Sequence, residues 1–583
     1  TYVLLKRGAD PAKAEVKIAK AVQRRVGQEY KERNESVEYK LQPLRDIHLF
    51  SNYMMEAEVN GDGRAVKFLF IISIFIILIA WINYINLSTA RSIDRAKEVG
   101  VRKVLGSQRE QLIRQFLFES FVVNLFAVIL AFVLVLLSLP LFNSITGKNV
   151  TFSLLADSSF WLTLVLIFSG GTLLSGLYPA FVLSSFRPIE VLKGKLARTS
   201  HGAWLRQSLV IAQFAASVAL MVGTYCIYKQ LSFMKNQDLG INIAQTLVVR
   251  GPSVSDSTYK EKLTAFKTEL LRKSGIAKIA ASTDVPGHKV DWNAGGIRLA
   301  GSDINQSNQY RIFGIDYDFV DAFGLRVIKG RNFSREFGAD SAAVLFNEAA
   351  VKQLGFDKPE DALNKRIDFW GETFTIVGVV SNHHQESLRE NFDTYIYRLI
   401  PESDNYYSFK IQADAGLTSG IIASIEQKWN QFFPGNPFDY FFLDDHFAAQ
   451  YKADEQFGRT FALFAILAII VACLGLYGLA SFVTTQRTKE IGIRKISGAS
   501  IPSLLLLLTK DFLKPIFLSF AIAIPITYYL LQQWLQNYAF KTSITPWLFV
   551  LPALLILIVA VVTVSMQTFK TASANPVKNL RTE

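Results

Sequence analysis

Seven separate apolar runs, near residues 68–90, 116–142, 160–183, 208–231, 461–483, 512–535 and 546–566, are each long enough to cross a bilayer, which takes about 20 residues of helix. One such run fits the buried helix of a soluble core; seven do not. The first, FLFIISIFIILIAWINYINLSTA, holds no charged residue. The chain therefore has to fold as membrane helices plus whatever lies between them. Composition agrees: only 19% of its 583 residues are charged and 50% are hydrophobic, against roughly 25% charged in ordinary globular chains. Intrinsic disorder, collagen-like repeats and a disulfide scaffold are excluded. Cys226 and Cys473 both sit inside apolar runs, without ligand spacing, and read as small hydrophobes.

The net charge of +13 would suit a nucleic-acid binder if it were clustered on a soluble domain, but its placement says otherwise. Arg91, Arg95, Lys97, Arg102, Lys103, Arg109 and Arg114 fall between the first two runs, and only Lys148 between the next two. Arg187, Lys193, Lys195, Arg198 and Arg206 follow the third run; Arg487, Lys489, Arg494, Lys495 and Lys510 follow the fifth. Loops alternate between basic and neutral, and basic short loops stay in the cytoplasm. Residues 91–115, 184–207, 484–511 and the tail are thus cytoplasmic, and residues 1–67 and 232–460 lie outside.

The chain also repeats itself. Arg95–Gly106 reads RAKEVGVRKVLG and Arg487–Gly498 reads RTKEIGIRKISG, at an offset of 392. Phe186–Leu192 (FRPIEVL) is echoed by Ala574–Leu580 (ANPVKNL) at an offset of 388. Each half reads span, basic motif, span, short outer loop, span, Pro-x-x-x-Leu. Tyr2–Lys6, a helical run and Leu44–His48 are matched before the fifth span by Tyr407–Lys410, a helical run and Leu443–His446. Residues 1–67 therefore look like the tail of an outer domain whose second copy is 232–460. The chain begins on Thr in mid-pattern and reads as a fragment or a processed product truncated at its N-terminus, with seven spans of an expected eight. The divisions expected are 1–67, the membrane unit 68–207, a span at 208–231 that opens the second half, the outer domain 232–460 and the membrane unit 461–583. Parallel repeats of this kind build a pseudo-twofold membrane unit.

The outer segment is α+β. Thr246–Arg250 reads as a strand. Leu263, Phe266 and Leu270 mark one face of a helix over 259–271. Residues 366–380 read as a hairpin turning near Gly371, Asn347 is placed to cap a helix over 348–354, and a helix over 417–433 precedes a strand over 439–443.

Catalytic signatures are missing. No G-x-x-x-x-G-K-[ST] phosphate loop occurs, so the chain is not expected to hydrolyse ATP itself. Ser169-Gly170-Gly171 lies within the third span, where small residues serve helix packing. His383 and His384 near Glu386 match no strong metal spacing, and Asp444, Asp445 and His446 read as a solvated turn. Glu119 is the only carboxylate inside an assigned span, which disfavours ion coupling.

The repeated motif is the candidate site. Glu98 and Arg102 stand four apart, as do Glu490 and Arg494, a helical pairing distance. Val101, Val104 and Leu105, with Ile493 and Ile496, share one face; the charges take another. Such a short amphipathic helix lies flat at the inner surface of the membrane or docks into a partner's groove. Setting topology takes positive charge only, not a repeated R-x-K-E-[VI]-G-[VI]-R-K spacing.

The two motifs, the helical units and the Pro-x-x-x-Leu exits resemble the FtsX/MacB-type permeases of ABC transporters, in the double-length form without a fused ATPase. The resemblance implies two FtsX-like helical units and a MacB-like periplasmic core built from 232–285 plus 404–446 with an insertion between. It implies an inner-membrane, multi-pass protein with no cofactor of its own, whose ATP and Mg2+ sit on a separate ABC ATPase chain, two copies in all. Membrane lipid, a periplasmic adaptor and an outer-membrane duct are further implied partners; nucleic acid is not. Carried over, Arg95, Lys97, Glu98, Gly100, Arg102, Lys103 and Gly106, with Arg487, Lys489, Glu490, Gly492, Arg494, Lys495 and Gly498, correspond to the helices that couple permease to ATPase. ATP-driven closure of the ATPases would move the outer domains, a mechanotransmission that exports cargo such as peptides, antibiotics or lipid-linked substrates. The alternative is an FtsX-like regulator of cell-wall hydrolases. A secondary transporter and a membrane-anchored enzyme are disfavoured, the first by the lack of a chain of charged residues through the spans and the second by the missing catalytic constellation.

Overall fold

The computed structural model describes residues 2–32, 37–51, 53, 60–151, 153, 156–185, 200–412 and 415–573. Helical residues 29, 32, 89–98, 100, 175, 178–185, 200–206, 415, 486, 488, 489, 511, 571 and 572 are described by their backbone alone. Both Pro-x-x-x-Leu exits lie outside the described residues. The chain divides into two compact units: Thr1–Gly63 with Phe233–Lys452 and Tyr538–Phe540, and Arg64–Ser232 with Ala453–Asn537 and Lys541–Glu583.

The second unit is helical. Its elements are α1 (Gly63–Val104), α2 (Arg109–Thr146), α3 (Ser158–Ser185), α4 (Ser200–Asn236), α5 (Lys452–Gln486), α6 (Thr488–Ile496), α7 (Ile501–Leu535) and α8 (Trp547–Ser573). All seven apolar runs are helices. Among the described residues six are long and apolar enough to cross a membrane, and the described apolar part of α3, Ser158–Leu174, is shorter. The second repeat has a shared core: Val218 and Val222 of α4 meet Leu476 and Ala480 of α5, Ile516 of α7 and Ile556 and Ala560 of α8.

The duplication read from the motifs extends through the spans at the same offset. In the first repeat Trp81 lies against Gly171, where a methyl group would come within 2.7 Å of the indole nitrogen. In the second, the counterparts Cys473 and Thr563 are neighbours, and the Thr563 hydroxyl donates to Val559 O at 2.8 Å. Tyr84 and Ser120 meet hydroxyl to hydroxyl at 3.5 Å, and their counterparts Leu476 and Phe512 share one apolar cluster. The small residues of the Ser169–Gly171 stretch thus serve close helix approach.

Among the described residues the first unit carries eleven strands: β1 (Thr246–Arg250), β2 (Ile276–Ser282), β3 (Asn293–Leu299), β4 (Asn308–Ile315), β5 (Val327–Gly330), β6 (Ala343–Asn347), β7 (Arg366–Phe369), β8 (Glu372–Val380), β9 (Tyr395–Leu399), β10 (Tyr406–Ile411) and β11 (Tyr440–Phe442). Four of them, in the order β11-β1-β10-β2, form a sheet from the two flanks of the domain. The helices Tyr259–Leu271 and Ala415–Phe432 pack on it through Phe266, Trp429, Tyr407 and Phe409, with the Phe266 and Trp429 rings edge to face at 6.1 Å.

The insertion closes on itself. β4-β3-β7-β8-β6-β9 is completed by a parallel pairing of β4 with β9, Arg311 opposite Tyr395 through Ile315 opposite Leu399. Closure removes the exposed strand edges that invite aggregation. Alternation along its strands feeds two cores: Tyr310, Ile312, Val344 and Phe346 enter one, and Phe313, Ile315 and Leu345 the other. The expected hairpin forms between β7 and β8, with Trp370 and Gly371 at the tip, both at positive φ. Asn347 caps its helix as expected, its side-chain oxygen accepting from Ala350 N at 2.9 Å, and the same oxygen accepts from Tyr395 N at 3.0 Å.

Candidate functional site

Each basic motif builds the first arm of a helical hairpin. In the second repeat α5 ends at Gln486 and α6 carries the motif, with Arg487 between them (φ −93°, ψ 11°). In the first repeat the motif is no separate helix: α1 continues unbroken from the span to Val104. The expected short independent helix therefore holds for one copy only. The helical hydrogen-bond pattern nearly survives at Arg487 too, whose N–H donates to Val483 O at 3.1 Å. Both copies are thus close to one continuous rod.

Both motifs stop the same way. Gly106 has φ 97° and Gly498 has φ 90°, the left-handed conformation that suits glycine at a helix end. Ser107 N donates to Arg102 O at 3.0 Å and Gly106 N to Lys103 O at 3.1 Å; Ala499 N donates to Arg494 O at 2.9 Å and Gly498 N to Lys495 O at 3.2 Å. This paired closure satisfies the last carbonyls of each helix. The next helix is capped at once. Gln108 and Gln111 form a reciprocal box at the start of α2, and Ser500 accepts from Ser503 N at the start of α7.

The hairpins are clamped by residues that the motif analysis did not single out. Val99 is buried against Leu112 and Phe116. At the same offset, Ile491 is buried against Leu504 and Leu508. The available signal was the [VI] after Lys-Glu, together with apolar residues 13 and 17 positions further on in both copies. The apolar face that the sequence did single out points away from this clamp: Val101 is 48% exposed, Val104 63%, Leu105 80%, Ile493 57% and Ile496 62%. Each hairpin thus has an apolar inner seam and a row of uncovered apolar side chains near its tip.

The charges frame that row. Arg494 pairs with Glu490 at 2.8 Å, both about half exposed. Arg102 Nη1 donates to Gln115 Oε1 at 2.8 Å, and Gln115 Nε2 donates to Glu119 Oε1 at 3.2 Å, a polar chain from the motif onto α2. Burial and the neighbouring Arg109 charge hold the Lys103 ammonium below its ordinary pKa. Gly492 is buried, and Arg487 and Lys495 are half-buried. The side chains of Arg95, Lys97, Glu98 and Lys489, and the surroundings of Gly100, lie outside the described residues.

The other polar groups of the sequence fall into structural roles in the outer unit. The His383 ring lies within hydrogen-bond distance of Gln385 Oε1 at 3.2 Å and of Tyr397 OH at 3.3 Å; burial brings its pKa down to about 4. His384 packs between Phe392 and Phe540, each ring centroid 4.6 Å away. Asp444 and Asp445 are exposed at the start of the helix Leu443–Ala449. His446 is no solvated side chain, since its ring meets that of His288 edge to face at 4.7 Å and lies tilted against Phe441 at 4.8 Å.

Residues 70–188 and 462–576 match the FtsX-like permease C-terminal family, and residues 210–424 match the MacB-like periplasmic core domain. The chain belongs to the FtsX/MacB-type permeases. The two FtsX-like matches contain the two hairpins, so the duplication is that of a whole family unit. Among similar proteins, the uncharacterized ABC transporter permease YvrN of Bacillus subtilis is 27% identical over 208 residues, 32% of this chain and 50% of that protein. The pyoverdine export ATP-binding/permease protein PvdT of Pseudomonas putida is 25% identical over 338 residues, 53% of this chain and 50% of that protein. The macrolide export ATP-binding/permease protein MacB of Neisseria gonorrhoeae is 24% identical over 202 residues, 32% of this chain and 30% of that protein. The chain thus spans about half or less of the length of these relatives. The periplasmic region of MacB from Actinobacillus actinomycetemcomitans aligns over 36% of this chain and 94% of that chain at 14% identity, with a TM-score of 0.26. As an FtsX/MacB-type permease with multiple apolar helices, the chain is a multi-pass inner-membrane protein whose large domain is periplasmic.

Proposed function

We propose that this permease is the membrane subunit of an ABC exporter and that its two hairpins each receive one copy of a separate ATPase, which holds the ATP and Mg2+. The observation that carries the reading is the twofold recurrence of one device: a buried clamp, Val99 or Ile491, behind an uncovered apolar row, Val101 and Val104 or Ile493 and Ile496. Apolar rows of this kind mark docking surfaces, and a helix presenting one fits a groove on a partner. The clamp gives the docking a mechanical consequence. A push on the hairpin tip is passed to α2 and α7 because the two arms share a packed seam, and closely packed interiors transmit displacement. ATP-driven closure of the partners would in this way shift the spans and, through them, the periplasmic domain. Cargo such as peptides, antibiotics or lipid-linked substrates is then expelled without crossing the bilayer through this chain; an export role is supported by the pyoverdine and macrolide export named for two of the relatives. A periplasmic adaptor and an outer-membrane duct would complete the path where the envelope has a second membrane.

The test is co-expression of the permease with its ATPase and purification through the permease. Val101→Asp with Ile493→Asp places a charge in each apolar row while leaving both clamps intact. The expected result is loss of the ATPase from a permease that still elutes as a single folded species. Undiminished co-purification and ATP turnover would overturn the proposal.

A further inference from the structure

The offset that relates the two hairpins also relates the spans that lead into them, and at one level those spans meet their own counterparts. Residues 83 of α1 and 475 of α5 correspond at the offset of 392. The first is Asn83, the second Gly475, and they touch: the three atoms nearest a carbon added to Gly475 all belong to the Asn83 amide, and such a carbon would overlap it. Asn83 Nδ2 donates to the carbonyl of Val471 at 2.6 Å, one turn before the glycine. Further along, Leu87 lies 3.4 Å from the position of a side chain on Gly478. Toward the other end, Ile72 and Ile76 of α1 share a cluster with Ala465 and Ala468 of α5. At the level of Asn83 and Leu87 α1 supplies the large residues and α5 the glycines, while at the Ile72 end Phe461 and Phe464 of α5 also pack on the seam.

A residue that faces its own counterpart lies at the axis relating the two copies. A duplicated chain places the same side chain there twice unless the copies have diverged. Here one copy carries a knob and the other a hollow. Small residues allow helices to approach closely in lipid, and a side-chain bond to a neighbouring carbonyl ties them where water is scarce.

We propose that Asn83 is the key and Gly475 the keyhole of a one-way lock that pairs the two repeats of a single chain and sets the register of α1 on α5. The partner this face of α1 fits is therefore α5 of the same chain, not α1 of a second copy. Pairing like with like at this contact sets two asparagines in a space where a single added carbon already overlaps the amide, or leaves two facing glycines with nothing between them. The wrong pairing is rejected by that overlap as much as the right one is held by the hydrogen bond. The lock is independent of what binds the hairpins.

The test exchanges the two residues in the full chain, expressed in membranes and purified in detergent. Gly475→Asn alone puts two amides at one level and should cut the yield of monodisperse protein about tenfold. Asn83→Gly combined with Gly475→Asn moves the knob to α5 and the hollow to α1, and should restore the yield to within about twofold of the parent. Gly475→Asn behaving like the parent, or the exchange recovering nothing, would overturn the lock. A second measurement reads the pairing directly. Asn83→Cys with Gly475→Cys, in a chain carrying Cys226→Ser and Cys473→Ser, should on oxidation link the halves within one chain, which stay joined after a protease cut in the outer domain. A disulfide-linked dimer in place of that product would refute pairing within the chain.

Discussion

Ile491 and Ile493 are two residues apart, of the same type and in the same motif, yet the structure gives them opposite tasks. Ile491 is 4% exposed and lies on Leu504 and Leu508, each 1% exposed, whereas Ile493 is 57% exposed. Ile491→Ala removes three carbons from a buried seam. At about 0.8 kcal/mol per buried carbon, plus the cavity left behind, the cost falls in the range of about 2–3 kcal/mol, the low end for a buried isoleucine. Among the described residues the seam is a buried apolar cluster that joins the two arms, so the loss should appear as local opening of the hairpin rather than as unfolding of the protein. Amide hydrogen exchange over residues 488–500 reads that opening. At about 1.4 kcal/mol per tenfold, exchange should speed up roughly 30- to 150-fold there and stay unchanged in the outer strands. Ile493→Ala should leave exchange within about twofold of the parent while weakening retention of the ATPase. Equal exchange in the two variants, or the faster exchange at Ile493→Ala, would refute the division into clamp and docking row.

Other outcomes follow from the same geometry. Gly498→Ala and Gly106→Ala force a side chain into the left-handed region and should each destabilise a hairpin end by about 1–2 kcal/mol, read as faster exchange of the preceding turn. Glu490→Lys removes the pair with Arg494 and reverses a charge beside the docking row; ATP turnover stimulated by the permease should fall while the melting midpoint shifts little, because exposed pairs contribute only about 0–1 kcal/mol. Asn347→Ala removes the acceptor shared by Ala350 N and Tyr395 N and should cost about 1–3 kcal/mol, measured by chemical denaturation. Acid should loosen the outer unit. His383 is buried and neutral, with its folded pKa down at about 4, below the unfolded value of about 6.5. Between those values the unfolded chain binds the extra proton, so stability is fully present above about pH 6.5 and is lost as pH falls toward 4, by about 2 kcal/mol at pH 5 for this residue. His383→Gln should flatten the fall of the melting midpoint between pH 7 and pH 5.

The spans, the duplication and several outer elements were legible because their causes are local. A charge-free run such as 68–90, a positive φ needed at Gly106 and Gly498, an Asn347 that caps its own helix and a turn at Trp370–Gly371 each leave a mark within a few residues. The clamps were hidden because a valine at 99 and a valine at 101 look alike in sequence; only the fold shows which meets Leu112 and Phe116 and which faces outward. Closure of the six-strand ring rests on β4 meeting β9 some eighty residues later, and no local pattern announces such a pairing. His384, weighed in the sequence only as a weak metal candidate, and His446, read as part of a solvated turn, are held in aromatic contacts, because an imidazole that gives up its charge packs like a small aromatic ring. The helix that runs unbroken through the first motif was missed for a different reason: the motif's amphipathic pattern is the same whether or not a span precedes it without a break.

In the proposed coupling the two hairpin tips meet a separate ATPase in the cytoplasm. A photo-crosslinking amino acid placed at Val101, and in a second strain at Ile493, tests this in intact cells. The proposed coupling requires a crosslink from each position to the same ATPase polypeptide, lost when the clamp residues Val99 and Ile491 are both changed to aspartate. Crosslinks from either position to a periplasmic protein, or from both to lipid alone, would contradict it.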